Sequence, residues 1–394
     1  MQEAATTLPT CAKAPTTGPL DERGEDIVKI AQIAPLWNNV PSHGPSDSER
    51  ALLYLTDELV RRGHEVTLFA SADSCTSAKL EPLCPAPFCR APESWSRAGA
   101  AILAVEQVFG LRANEFDLIH SHFGIDGFPM AQRCSTPTLT TLQERLNLPE
   151  YVPVFEQFRN LPLVATSDAQ RAPLAWASWQ QTIYPGVPSN LYRFNPRPGK
   201  YLAFIGSLSL EEGLGVAIEI ARRAHLPLRV VSRQDSIDGL PRSIPSKLLV
   251  AGNGVEWLGA LNEPAKISFL GGALALMCTQ SGPDASGLCV AEALACGTPV
   301  LAFHGGPAAE MIYDHVTGFS CDSLDEMVDV VPLVKELDRK ACRNVFEKRF
   351  SVERMADQYV HLYERLIAAA SHRRIRASIP QATQADRRQV AVTN

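Results

Sequence analysis

His120 and His122 stand either side of Ser121, with Asp126 a short step downstream. On a strand, alternate residues share one face, so both imidazoles should point the same way. With a carboxylate nearby, that set could in principle ligate zinc. No Cys/His cluster accompanies it, however, and the pattern supports no metal. Ser167-Asp168 follows the apolar run LPLVATS. It lacks the G-x-S-x-G elbow of a serine nucleophile, and a serine at that point is expected to cap the next helix. His304-Gly305-Gly306 reads as a tight turn after a strand. The 10 cysteines are scattered without a CxxC pair, a usage that suits reduced thiols in the cytoplasm.

The elements that would position these residues follow from apolar periodicity. IVKIAQIAPLW, HEVTLFAS, FDLIHSHF, TPTLTTL, LPLVATS and QTIYPGV read as buried strands. SERALLYLTDELVRRG reads as an amphipathic helix with Leu52, Leu53, Leu55 and Leu59 on one face and Gly63 as its stop. After the turn-rich NPRPGK, a second series begins: YLAFIGSL, LPLRVVS, GVEWLGAL, ALALMCT and TPVLAFHG as strands, LGVAIEIARRAH as a helix. GLCVAEALACG reads as a helix that starts at Gly287 and stops at Gly297. Strands alternating with helices imply parallel βαβ units. Two such series predict an α/β protein of two Rossmann-like domains, with ligands beyond the carboxyl ends of the strands.

The boundaries expected are a disordered leader at 1–25, an N-terminal domain at 26–195, a C-terminal domain at 196–350, a helix at 351–370 and a basic disordered tail at 371–394. Lys and Arg total 37 against 43 Asp and Glu, a net charge of −6, which argues against a nucleic-acid partner. No apolar stretch approaches the roughly 20 residues of a membrane span, and the first residues show no secretory signal.

ELVRRGHEVTLFA, FDLIHSH, YLAFIGSLSLEEG, GLCVAEALACGTPVLAFHGG and FEKRFSVERM resemble, in order and spacing, the family-4 retaining glycosyltransferases of GT-B architecture. The most specific stretch is EALACGTPV followed by AAEMIYDHVTGF. The resemblance runs over about 27–367. It implies two facing Rossmann-like domains, an acceptor site on the first, a nucleotide-sugar donor on the second and a last helix crossing back to the first. It also implies transfer with retention, without a metal or other cofactor.

Residue by residue, the resemblance assigns Asp284 and Glu292 to the family's paired carboxylates, with Asp284 as the catalytic acidic partner and Glu292 on the donor ribose. Gly287 and Leu288 match the helix start that receives phosphate oxygens, and His120 and His122 match a cleft-lining strand end. Five positions depart from the pattern. Ser207 and Glu212, in GSLSLEEG, stand where the family has the Arg and Lys that grip the pyrophosphate. Gln143, in TLQER, occupies the place of the family's histidine and cannot exchange a proton. Ser46 and Asp47 replace a Gly-Gly pair; Arg233 is the nearest candidate for a substitute cation, its plainer reading being a solvated loop charge. The expectation is therefore a sugar transferase with an unidentified acceptor. The alternative is a catalytically silent GT-B subunit that binds or scaffolds a partner protein.

Overall fold

The computed structural model describes residues 27–40, 47–90, 96–206, 213–232, 254–279 and 287–378. Asp284, Ser207, Glu212, Ser46 and Arg233 lie outside the described residues. The first sheet holds β1 (Lys29–Ile33), β2 (Glu65–Ser71), β3 (Lys79–Cys84), β4 (Leu118–Ser121), β5 (Thr138–Thr141), β6 (Leu163–Ala165) and β7 (Trp179–Thr182). The second holds β8 (Leu202–Gly206), β9 (Leu228–Ser232), β10 (Val255–Trp257), β11 (Ala275–Cys278), β12 (Val300–Phe303) and β13 (Gly318–Cys321). Their orders are β3-β2-β1-β4-β5-β6-β7 and β10-β9-β8-β11-β12-β13, and the pairings are parallel. This is the α/β GT-B arrangement of two Rossmann-like sheets. In each sheet the strand order reverses at one point, between β1 and β4 and between β8 and β11. Such a switch point opens a crevice at the strand ends.

Two strands absent from the sequence reading are β3 and β13. β3, KLEPLC, is an edge strand carrying Pro82 and a mostly unburied face, the place where proline is tolerated. β13, GFSC, offers only four residues and too little alternation to be recognised. QTIYPGV is strand only at its start, since β7 covers Trp179–Thr182.

The first helix, Asp47–Arg61, buries Leu52, Leu55 and Leu59 but leaves Leu53 half-buried. Leu53 follows Leu52 directly and so lies about 100° round the helix, off the packed face. Gly63 takes φ +91°, the left-handed turn that ends a helix and that other residues resist. The last helix runs Val352–Ser378, past the 370 at which its periodicity fades. Its Met355, Ala356, Tyr359, Val360 and Tyr363 pack with Ile30, Leu55, Leu118 and Leu139 of the first sheet and first helix. The chain thus returns to its N-terminal half. At the crossing, the Val187 N–H donates to the Phe350 carbonyl at 3.1 Å and the Val352 N–H to the Val187 carbonyl at 2.9 Å. Among the described cysteines eight are free thiols. Cys75 is disulfide-bonded, which corrects the expectation of reduced thiols at that residue.

Candidate functional site

His122 follows β4, and its N–H donates to the Ile33 carbonyl at the end of β1, 2.9 Å away. It therefore stands at the switch point of the first sheet. Both histidines do share a face, with ring centroids 4.1 Å apart, but their environments differ. His120 is fully buried and held on both nitrogens, Nδ1 by the Tyr363 hydroxyl at 2.7 Å and Nε2 by Thr141 Oγ1 at 2.8 Å. It is a packed core residue. His122 is also buried, yet only Nδ1 has a partner, the side-chain amide of Gln143 at 3.5 Å. Among the described residues Nε2 of His122 has none. Burial pushes the His122 imidazole down to about 3, so it is neutral. Burial, with His122 beside it, also lowers His120.

Gln143 leads into Glu144, whose carboxylate accepts the Gln143 N–H at 3.0 Å. Burial raises that carboxyl above its ordinary range, with Asp126 adding to the effect. Asp126 is not drawn into a metal set: among the described residues no group of three His, Cys, Asp or Glu is placed to hold an ion.

On the other sheet, the helix Leu288–Ala295 begins at Gly287 with φ +74°. A side chain there would be strained and would put its Cβ 2.5 Å from Met311 Sδ, so glycine is what allows this helix start. All eight residues of the helix are buried, which fits its almost wholly apolar sequence LCVAEALA. Its N-terminus carries the partial positive charge of the helix dipole. Pro185 connects this helix start to the first sheet's cleft. Its Cγ lies 4.0 Å from the position a Gly287 Cβ would take, and it lines a small cavity together with His122 and Gln143.

Glu292, the one charged residue of that helix, is 1% exposed. Its Oε1 accepts hydrogen bonds from Lys266 Nζ at 2.7 Å and the Tyr192 hydroxyl at 2.7 Å. It also pairs with Arg50 of the first helix. Arg50 in turn reaches the Tyr192 hydroxyl at 2.8 Å, the Tyr54 hydroxyl at 3.1 Å and Glu263 Oε1 at 3.0 Å. Burial alone would raise the Glu292 carboxyl, but Lys266 and then Arg50 overcome it and hold it at about 2. Burial works against the Arg50 guanidinium too, and Glu292 outweighs it, keeping the arginine charged. Glu292 thus joins an ionic cluster drawn from both halves of the chain.

A second carboxylate also crosses the cleft. Glu310 accepts the Asp168 N–H at 2.8 Å, the Ala169 N–H at 2.5 Å and the Tyr184 hydroxyl at 2.9 Å. Ser167 caps the short helix Asp168–Arg171 by accepting the Gln170 N–H, as a capping role requires and a nucleophilic one does not. His304 is half exposed and pairs with Asp322 at 2.8 Å.

The sequence-derived residues therefore separate. His122 lines a small cavity with Pro185, which also approaches Gly287; Leu288 is buried at the helix start; Glu292 faces Arg50 and Lys266; His120 is packed away. Sequence reasoning missed Arg50, Lys266, Tyr192, Glu263 and Glu310. Arg50 lies just after the altered Gly-Gly position, the one local signal available. The others carry none, since their partners are remote along the chain.

The family model described as "Glycosyl transferases group 1" matches residues 194–345, and that described as "Glycosyltransferase Family 4" matches residues 48–174. No curated protein matches the chain in sequence at a significant level. Among solved structures, it is similar to Anabaena Alr3699/HepE in complex with UDP and glucose, at 19% identity and a TM-score of 0.65, covering 86% of this chain and 99% of that one. AviGT4, a glycosyltransferase involved in avilamycin A biosynthesis, is 20% identical with a TM-score of 0.62, over 86% of this chain and 98% of its own. A glycosyltransferase from Rickettsia africae is 15% identical with a TM-score of 0.63, over 87% and 99%. At these identities the likeness is one of fold.

Proposed function

Because the chain belongs to the group-1, family-4 glycosyltransferases of GT-B architecture, we propose that it transfers a sugar from a nucleotide-sugar donor to an acceptor, with retention. The observation that carries this reading is the meeting of the Gly287 helix start with the switch-point residue His122 and its neighbour Gln143, joined through Pro185. As the sugar–phosphate bond breaks, negative charge grows on the diphosphate. A helix N-terminus in a shielded cleft stabilises such charge without reorganising. Gly287 and Leu288 are the residues assigned to that contact, and Asp284 is assigned as the acidic partner from its place in the family motif. Donor and acceptor sites on opposite halves would let domain closure exclude water from the reacting bond.

A second reading has its own observation. Glu292, which would hold the ribose, is already met by Arg50, Lys266 and Tyr192. A ribose must therefore displace or share that cluster. Gln143 supplies no proton, and Ser207 and Glu212 supply no cations. These features favour a silent GT-B subunit that binds a partner protein. A cytoplasmic site of action is supported by eight free thiols, against the bonded Cys75. No described helix is long and apolar enough to cross a membrane.

Thermal midpoints with millimolar UDP, ADP and GDP, and with their sugars, separate the two readings. A ligand at a hundred times its Kd adds about 2.7 kcal/mol, several degrees for domains of this size. A shift with one base supports transfer and names the donor class. A flat panel overturns it in favour of the silent subunit.

A further inference from the structure

The cavity beneath the switch point is about 20 Å³, room for one water-sized group. Its polar wall consists of His122, Thr141, Gln143, Thr166, Tyr359 and Asp47. Most of these groups have partners. Thr141 Oγ1 meets the Tyr359 hydroxyl at 3.0 Å and His120 at 2.8 Å, Thr166 Oγ1 donates to Gln170 at 3.3 Å, and Asp47 lies 3.8 Å from Arg50. His122 Nε2 is the exception: its residue is 4% exposed and this nitrogen has no partner among the described residues.

The hydrogen-bond direction at that nitrogen follows from Gln143. An amide nitrogen only donates, so His122 Nδ1 accepts and Nε2 carries the proton. His122, which lines the cavity, therefore carries a buried N–H donor that no described residue meets and that calls for an oxygen. The Asp47 carboxylate in the same wall disfavours an anion, so the oxygen belongs to a neutral group such as a hydroxyl. Pro185 borders both this cavity and the Gly287 helix start. A sugar whose diphosphate meets that helix start would thus have its own hydroxyls next to the cavity.

We propose that His122 Nε2–H donates a hydrogen bond to one hydroxyl of the transferred sugar, and that Gln143 is the positioning residue that fixes the tautomer. This inference rests on reading the cleft as a nucleotide-sugar site. It makes His122 a determinant of which sugar is accepted. The side chain at the family's histidine position, unable to exchange a proton itself, here orients a neighbouring imidazole.

The test measures Kd by calorimetry for UDP-, ADP- and GDP-glucose and for the three parent diphosphates, using the full chain and two His122 variants. For the donor that binds, the 2-, 3-, 4- and 6-deoxyglucose analogues follow. His122→Phe, which keeps the ring but loses the donor, is expected to weaken the sugar nucleotide about tenfold to a hundredfold, as for an unmade buried hydrogen bond. The parent diphosphate should bind unchanged. One deoxy analogue should bind the native chain as weakly and lose nothing further in the variant, and His122→Gln should restore most of the affinity. If His122→Phe does not fold, Gln143→Met releases the tautomer and is expected to weaken the sugar nucleotide alone, by about threefold to tenfold. Equal weakening of sugar nucleotide and diphosphate, or none, overturns the inference and leaves the donor site standing. Failure of every donor and diphosphate to bind the native chain overturns the donor-site reading and the inference with it.

Discussion

Two polar groups lie where the two halves of the chain meet and differ in one respect, whether their hydrogen bonds are complete. Around Glu292, two cations, two tyrosine hydroxyls and a second carboxylate from three segments satisfy one another. Around His122, one nitrogen is held and the other has no partner among the described residues. A completed buried network holds a conformation in place because breaking it strands a charge. An incomplete one is a place where a ligand has something to offer. The contrast teaches that motif identity is a poor guide to which is which. The residue that keeps the family's type, Glu292, is the engaged one, and the cleft whose motif residue changed, at Gln143, holds the open donor.

The largest expected effect comes from breaking the completed side. Arg50→Met leaves Glu292 with Lys266 as its one cation among the described residues and should cost about 3–5 kcal/mol, read as a fall of about 10 °C in the apparent thermal midpoint. A loss under about 1 kcal/mol, the size of an exposed pair, would erase the distinction between the two sides.

Acid separates them next. His122 titrates at about 3 in the folded chain against an ordinary 6.5, and His120 is lowered in the same direction by burial. The unfolded chain therefore takes protons that the folded chain refuses. The stability tied to these histidines is complete above pH 6.5 and falls as pH drops towards about 3. Each such group costs about 1.4 kcal/mol per pH unit within its window. Glu292, at about 2 against 4.5, contributes stability that is complete above 4.5 and is lost only below it. Urea midpoints followed from pH 7 downward should thus decline before pH 4.5, and His122→Phe should flatten that early slope while Glu292→Gln leaves it unchanged.

A smaller effect tests whether the completed cluster closes the donor side. Ser207→Arg with Glu212→Lys restores the family's cations, and charged hydrogen bonds of about 1.5–3 kcal/mol each should tighten diphosphate binding at least tenfold, measured by calorimetry. No gain would mean that the cluster at Glu292, and not the missing cations, keeps the nucleotide out. The smallest effect is expected at Glu310→Ala. It frees the Asp168 and Ala169 N–H groups and should cost about 1 kcal/mol, the size of a lost helix cap, read as a thermal shift of a few degrees.

Much of this fold is written in local pattern. The leucines at 52, 55 and 59 and the glycine at 63 mark one helix and its end. The runs IVKIAQI, FDLIHSH and ALALMC mark central strands buried on both faces, and Ser167 marks a cap. These signals survive in a bare sequence because each depends on residues within a few positions of one another. β3 and β13 were hidden because an edge strand and a four-residue strand take their conformation from the neighbour they pair with.

The roles within the cleft were decided elsewhere. His120 and His122 are the same residue type two positions apart, yet Tyr363, 243 positions away, completes one while no described residue completes the other. Glu292 is held by Arg50 across 242 positions. Sequence alone determined the two parallel sheets, the glycine-started helix and the family, since backbone periodicity and turn chemistry are short-range. Only the tertiary structure decided which carboxylate is spent on an ion pair and which imidazole still has a proton to offer. Burial and hydrogen-bond completion are properties of the groups that folding brings together, and none of these partners is a neighbour in the chain.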